Sequence, residues 1–247
     1  MSIKFTFLSL LMASSLTAQE NLTKPEQTEF YEPIPKIVAP AKQIGDAPAD
    51  AIVLFNGKNL DNFISDKDGS AAKWTVNADG SMTVKPGTGD IKTKSTFQDF
   101  QLHIEWRSPV EADSIKGQKK GNSGVFLQER YEVQVLNGYQ NTTYTNGQAA
   151  SIYKQTPPMV NACRPVGEWN SYDIIYVAPR FRKNGSVESL PTVTVLHNGL
   201  IVQNHTIIQG TTEYIGAPIM KAHGKGGIKL QDHSNLVSYR NIWLREL

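Results

Sequence analysis

The 247-residue sequence contains a single cysteine, Cys163. No intramolecular disulfide can form, so stability has to come from a buried apolar core. Cys163 lies in VNACRP, far in sequence from any evident base. That setting predicts a small packing residue rather than a nucleophile. Neither charge is in excess, since 25 basic residues face 23 acidic ones. No basic stripe with interleaved aromatics occurs, which argues against a nucleic acid or an anionic membrane as partner. There is no G-x-G-x-x-G and no phosphate-binding loop, which argues against a nucleotide cofactor. Apolar residues almost never recur at helical spacing. After the N-terminus no apolar run is long enough to span a bilayer, which takes ~20 residues.

The N-terminus itself, MSIKFTFLSLLMASSLTAQE, places Lys4 before an apolar stretch from Phe5 to Leu16, and small residues follow. This is the pattern of a secretory signal peptide over residues 1–18, cut after Ala18. It predicts an exported protein, periplasmic or extracellular. Residues 19–49 are rich in Pro, Glu and Lys and lack any period. They read as an arm, either docked through Phe30, Tyr31 and Ile34 or acting as a linker.

From residue 50 to 247 the texture is different. Short runs of β-forming residues alternate with turn signals at Asn56-Gly57, Asp79-Gly80, Asn184-Gly185 and Asn198-Gly199. Many short strands at this spacing predict an all-β sandwich or jelly roll. Side chains on a strand point alternately to its two faces. In QLHIEWR, Leu102, Ile104 and Trp106 share one face, while His103, Glu105 and Arg107 share the other. In RYEVQVL, Tyr131, Val133 and Val135 oppose Arg130, Glu132 and Gln134. In GIKLQDH, Lys229, Gln231 and His233 oppose Ile228, Leu230 and Asp232. Charged and amide groups at strand centres predict one polar sheet face. The loops at 111–123 and 139–168 would wall it into a cleft, with Tyr139, Tyr144, Tyr153 and Trp169 available to stack on sugar rings.

Five blocks carry a family resemblance. They are LFNGKNLDNF, GNSGVFLQERYEVQVLNGY, VNACRPVGEWNSYDIIYVAPRF, TVTVLHNGLIVQNH and GGIKLQDHSNLVSYRNIWLREL, in this order from about residue 50 onward. Together they resemble the 3-keto-disaccharide hydrolase domain family. The resemblance implies a concanavalin-like jelly-roll sandwich of two antiparallel sheets, and a role in breaking down oxidised glucosides, by hydrolysis, by 1,2-elimination or by hydration of the resulting 2-hydroxyglycal. A ketone at C3 of a sugar acidifies the C2 proton. A base can remove that proton, the C1 aglycone leaves, and water adds back. Such chemistry needs one base, one acid and a positive group at the enolate oxygen.

Glu132 is the first candidate for base or acid, followed by the adjacent pair His233 and Asp232, which alternate faces, so that both enter a cleft only if the strand ends there. Glu105, Arg107, Asn122, Arg130, Gln134 and Lys154 are candidates for holding substrate, and Arg107 or Arg130 would face the enolate. Glu105, Glu132, Asp232 and His233 also offer donors to a divalent cation, catalytic or structural (Ca²⁺ among others), although no H-E-x-x-H spacing occurs. A non-catalytic, lectin-like carbohydrate-binding module is the alternative on the same scaffold. No feature of the sequence points to a particular oligomeric state.

Overall fold

Alternating apolar and polar residues make extended chain the cheapest way to bury one side and wet the other. The computed structural model describes residues 24, 29, 32–112 and 114–247. The signal peptide expected over residues 1–18 lies outside these residues, as do Phe30 and Tyr31. The chain divides into two units, Met1–Ile37 and Val38–Leu247. In the first, Ile34 and Ile37 are exposed. In the second, the tail of the proline-rich segment belongs to the sandwich. The Gly45 carbonyl accepts hydrogen bonds from Asn241 Nδ2 and Trp243 Nε1, each at 2.8 Å. Arg245 pairs with Asp50 at 2.8 Å.

The strands, in chain order, are β1 (Ile52–Phe55), β2 (Phe63–Ser65), β3 (Thr75–Val76), β4 (Met82–Thr83), β5 (Ile91–Thr93), β6 (Phe100–Arg107), β7 (Ser123–Leu127), β8 (Tyr131–Val135), β9 (Asn170–Val177), β10 (Arg180–Phe181), β11 (Val187–Ser189), β12 (Thr192–His197), β13 (Leu200–Ile207), β14 (Lys229–Leu230) and β15 (Ser238–Glu246). The larger sheet has eight strands in the order β13-β12-β9-β6-β15-β4-β3, with β1 also on β15. The smaller has five, in the order β2-β5-β14-β7-β8. β10 and β11 form a separate ribbon. Every strand pairing among the described residues is antiparallel. No α-helix occurs among them. Three of the four turn signals close hairpins, joining β3 to β4, β10 to β11 and β12 to β13. The chain is thus the expected two-sheet antiparallel sandwich.

The core lies between the sheets. Phe100, Leu102, Ile104 and Trp106 of β6 and Tyr172, Ile174 and Tyr176 of β9 are fully buried. They meet Val125 and Leu127 of β7, Tyr131, Val133 and Val135 of β8, and Leu230 of β14, which are also buried. Three tyrosine hydroxyls cross from the larger sheet to the smaller. Tyr172 donates to Gln134 O at 2.8 Å, Tyr176 to Gln128 Oε1 at 2.9 Å, and Tyr239 to Ser123 Oγ at 2.7 Å. Each satisfies a polar group that would otherwise be costly to bury.

These crossings fix which faces meet, and they correct one expectation. The polar sides of β6 and β8 do not form one surface. β6 belongs to the larger sheet and β8 to the smaller, so their polar sides are the two opposite outer faces of the sandwich.

Segment 121–139 is a tight hairpin rather than one long strand. Gln128 and Glu129, at φ +49° and +65°, turn the chain between β7 and β8. Left-handed residues without glycine are uncommon. Here side-chain bonds hold them. Gln128 Nε2 donates to Phe97 O at 2.9 Å, and Glu129 Oε1 accepts from Gly227 N at 2.8 Å.

Candidate functional site

The outer face of the smaller sheet carries two cross-strand rows. One places Lys229, Phe126 and Glu132 side by side on β14, β7 and β8. The next places Gly124 opposite Gln134, with the Gln231 N–H bonded to Gly124 O at 3.1 Å. Gly124 leaves a hollow in the second row. A Cβ built there would collide with the Glu132 carboxylate and the Phe126 ring.

Loops raise walls around this floor. Segment 111–122 brings Gln118, Lys119 and Asn122, and segment 139–168 brings Tyr144, Tyr153 and Lys154. Segment 208–228 brings Thr212 and Tyr214, and Gln231 and His233 close the remaining side. The open cleft between them is about 660 Å³, within the usual range of small-molecule sites. The 139–168 loop is anchored to the free edge of β8. Ala150 N donates to Gln134 O at 2.8 Å, Gln134 N to Ser151 O at 3.0 Å, and Tyr153 N to Glu132 O at 3.1 Å. The same bonds cap an edge strand that would otherwise invite pairing.

Glu132 sits at the bottom and is 4% exposed. Its backbone N–H donates to Thr212 Oγ1 at 2.9 Å. Its carboxylate takes no hydrogen bond from the described residues. Burial therefore dominates and pushes the acid up to about 8. Lys229 pulls it down and Asp90 pushes it further up. Lys229 is diverted toward Asp90 and Asp66, at 3.6 and 3.7 Å, and lies over the Phe126 ring at 4.3 Å. A nearly dry carboxyl group that changes charge close to neutrality is suited to proton transfer.

The walls are aromatic and amide-rich. The hydroxyls of Tyr144 and Tyr153 are 2.7 Å apart. Lys154 donates to Tyr214 O and lies 4.3 Å over the Tyr214 ring. Gln118 Nε2 is held by Thr143 Oγ1 at 3.0 Å and Gly147 O at 2.8 Å. Gln134 Nε2 donates to Gln118 Oε1 and Asn122 Oδ1, each at 3.2 Å. His233 is exposed at the rim.

Of the residues singled out in the sequence, the structure brings Glu132, Asn122, Gln134, Lys154, His233, Tyr144 and Tyr153 to this cleft, whereas Tyr139 does not line it and Trp169 lines a hollow on the other sheet. Asp232 does not line it. Its carboxylate stitches two turns together, accepting from Gly89 N at 2.9 Å and Ser234 N at 3.0 Å. Arg130 is also absent from the lining, because its guanidinium folds back onto Gln128 O at 2.6 Å. The cations lining the cleft are Lys119 and Lys154 instead.

Glu105 and Arg107 lie on the outer face of the other sheet. Glu105 bonds Arg240 at 2.6 Å and Asn241 at 2.9 Å. Arg107 and Arg240 both stack on Trp169, at 4.5 and 4.2 Å from its centroid. A hollow of about 550 Å³ exists there too, but its carboxylates are already paired, Glu105 with Arg240 and Asp173 with His103. Burial alone would push Glu105 up, yet the His103 ring 3.7 Å away and bonds from Asn241 and Arg240 hold it at about 2. With Glu105 on that face, the four donors considered for a divalent cation are dispersed. Among the described residues no three His, Cys, Asp or Glu side chains gather as a metal-binding group.

Gln118, Lys119, Phe126, Thr212 and Tyr214 escaped the sequence reading. Parity on β7 could have found Phe126. Thr212 and Tyr214 come from an aperiodic loop with no local signal. Cys163 agrees with its packing assignment. It is free, and burial pushes its thiol up to about 12.

Known proteins resemble this chain at three levels. A crystal structure of a candidate glycosyl hydrolase from Parabacteroides distasonis ATCC 8503 is 54% identical and covers 91% of this chain and 97% of its own, with a TM-score of 0.86. A second structure from the same organism, 19% identical with a TM-score of 0.56, covers 80% of this chain and 94% of its own and shares the fold. The 3-keto-disaccharide hydrolase of Bacteroides thetaiotaomicron (strain ATCC 29148) is 26% identical over 247 aligned positions, 81% of this chain and 80% of the relative. The profile of the 3-keto-alpha-glucoside-1,2-lyase-like domain matches residues 50–245, and the chain belongs to that family.

Proposed function

We propose that the cleft over β7 and β8 cleaves 3-keto glucosides, with Glu132 as the proton-transfer group. The observation that carries this is the buried carboxyl at the bottom of the cleft, unbonded by the described residues and pushed up to about 8. A carboxylate of that basicity is a stronger base than an ordinary one, and a C–H acidified by a neighbouring ketone is a demanding proton to remove. Glu132 takes the C2 proton, and the C2–H electrons form the enolate toward the C3 oxygen. Lys119 or Lys154 faces the developing charge. The C1–O bond then breaks, its electrons leave with the aglycone oxygen, and C1=C2 forms. His233, at the mouth, is placed to protonate the departing oxygen. Water adds to C1 of the enone, and the proton returns to C2.

The names of the relatives support a carbohydrate substrate, and the walls of Tyr144, Tyr153 and Tyr214 offer faces for sugar rings. Incubating wild type and Glu132→Gln with a 3-keto glucoside bearing a chromogenic aglycone tests the reading. Wild type releases the aglycone, and the variant loses at least ~10²-fold in kcat/KM, the low end for a general base. Unchanged release by the variant removes Glu132 from the mechanism. Binding without release by wild type leaves the lectin-like module as the better reading.

The proposed setting is outside the cytoplasm, because residues 1–18 have the pattern of a signal peptide. Intact mass of the exported protein should correspond to a chain starting at Gln19. A cell-retained, full-length chain would contradict it.

A further inference from the structure

Gln134 is 1% exposed, yet its Oε1 is buried without a hydrogen-bond partner among the described residues. Gln231 Oε1, on the other side of Gly124 in the same row, is in the same state. Both side chains line the cleft. An unpaired buried acceptor costs ~1–3 kcal/mol, so two of them beside one hollow point to a ligand that supplies donors.

The orientation of Gln134 is set by a relay. Gly147 O and Thr143 Oγ1 accept from Gln118 Nε2, which turns Gln118 Oε1 toward Gln134. Gln118 O accepts from Asn122 Nδ2, which turns Asn122 Oδ1 toward Gln134 as well. Two acceptors therefore claim the Gln134 amide nitrogen. Rotating that amide by half a turn would set three oxygens against one another. The carbonyl is left as the free end, and it can only accept. Gln134 and Glu132 are two positions apart on one strand, so they stand ~7 Å from each other on the same face, about the width of one sugar ring.

We infer that Gln134 and Gln231 are specificity-determining acceptors that read two hydroxyl groups of the glycosyl unit, on the far side of the ring from the C2 that faces Glu132. This rests on the function proposed above. It adds the requirement that the unit be unsubstituted at those hydroxyls. A site built to accept from a hydroxyl rejects the analogue lacking it far more strongly than an apolar pocket rejects an extra group, by up to ~10⁴-fold.

The test uses the intact exported protein with 3-keto glucosides and their 4-deoxy and 6-deoxy analogues, read by kcat/KM. The parent glucosides and their deoxy forms are read by calorimetric binding. Wild type is expected to disfavour at least one deoxy analogue by ~10²-fold or more. Gln134→Met and Gln231→Met should each reduce that preference to within tenfold, while the rate on the deoxy analogue itself is nearly preserved. Gln118→Met, which frees the Gln134 amide to turn, should give an intermediate loss of preference. Thermal melts and circular dichroism identify a variant that has failed to fold, in which case the other two decide. Turnover by wild type with no deoxy preference, or with a preference unchanged in all folded variants, overturns the inference and leaves the proposed reaction standing. Binding with deoxy discrimination but no turnover overturns the reaction and leaves the acceptor assignment. Neither binding nor turnover of any glycoside overturns both.

Discussion

Glu132 carries its site chemistry at a cost in stability, and the sign of that cost is testable. In the folded chain the carboxyl is held at about 8, against an ordinary value of 4.5. The folded state keeps a proton that the unfolded state has released, so this group destabilises the fold as pH rises through that window. The contribution is fully favourable below 4.5 and fully lost above about 8. Each unit of displacement is worth ~1.4 kcal/mol. Glu132→Gln should therefore be more stable than wild type at pH 8.5 by a few kcal/mol, and nearly equal to it at pH 4.5. Urea unfolding of both proteins at the two pH values checks this. An equal gap at both would mean that the carboxylate finds a partner in solution. His103 on the other sheet behaves differently. Burial pulls it down, but the bond to Asp173 and the nearby Glu105 carboxylate outweigh burial and hold it at about 9. Its contribution is complete below 6.5 and is lost as pH rises through 9. Comparing the two proteins at matched pH cancels it.

The β7–β8 hairpin is the element on which the site depends. Its turn has no glycine, so side chains have to stabilise it. Gln128 is 1% exposed and binds both Phe97 O and Tyr176 Oη. Gln128→Ala removes two buried bonds and strands the Tyr176 hydroxyl, for an expected loss of ~2–4 kcal/mol, measurable as a lower urea midpoint. Gly124→Ala should disturb the site more than the fold. The new methyl meets the Glu132 carboxylate and the Phe126 ring, and overpacking costs ~1–3 kcal/mol. Strand parity made much of this element legible in advance. It placed Glu132 and Gln134 on one side of their strand, and Lys229, Gln231 and His233 on one side of theirs. The turn was not legible, because Gln-Glu is no turn signature. Its left-handed backbone is held by Phe97 and Gly227, which are remote in sequence.

At the scale of the molecule, the two sheets present two polar outer faces of different kinds. One gathers unpaired acceptors and a buried acid. The other gathers paired ions around Trp169. Parity assigns a residue to a side of its strand, but only strand order assigns the strand to a sheet. Strand order is set by long-range pairing such as β15 on β6, so Glu105 and Arg107 read from the sequence as neighbours of Glu132 although the core separates them. Glu105→Gln should accordingly leave kcat/KM within about threefold of wild type, while lowering stability by ~1–3 kcal/mol through its lost bonds to Arg240 and Asn241. A large loss of activity without a loss of stability would move the site to the other face. The central claim, that Glu132 removes the C2 proton, is tested most directly by a 3-keto glucoside deuterated at C2. A primary isotope effect on kcat/KM is expected, with a rate that climbs with pH and levels off near 8 in wild type and is abolished in Glu132→Gln. Equal rates for the protiated and deuterated substrates, with a wild-type profile that falls through pH 8, would contradict it.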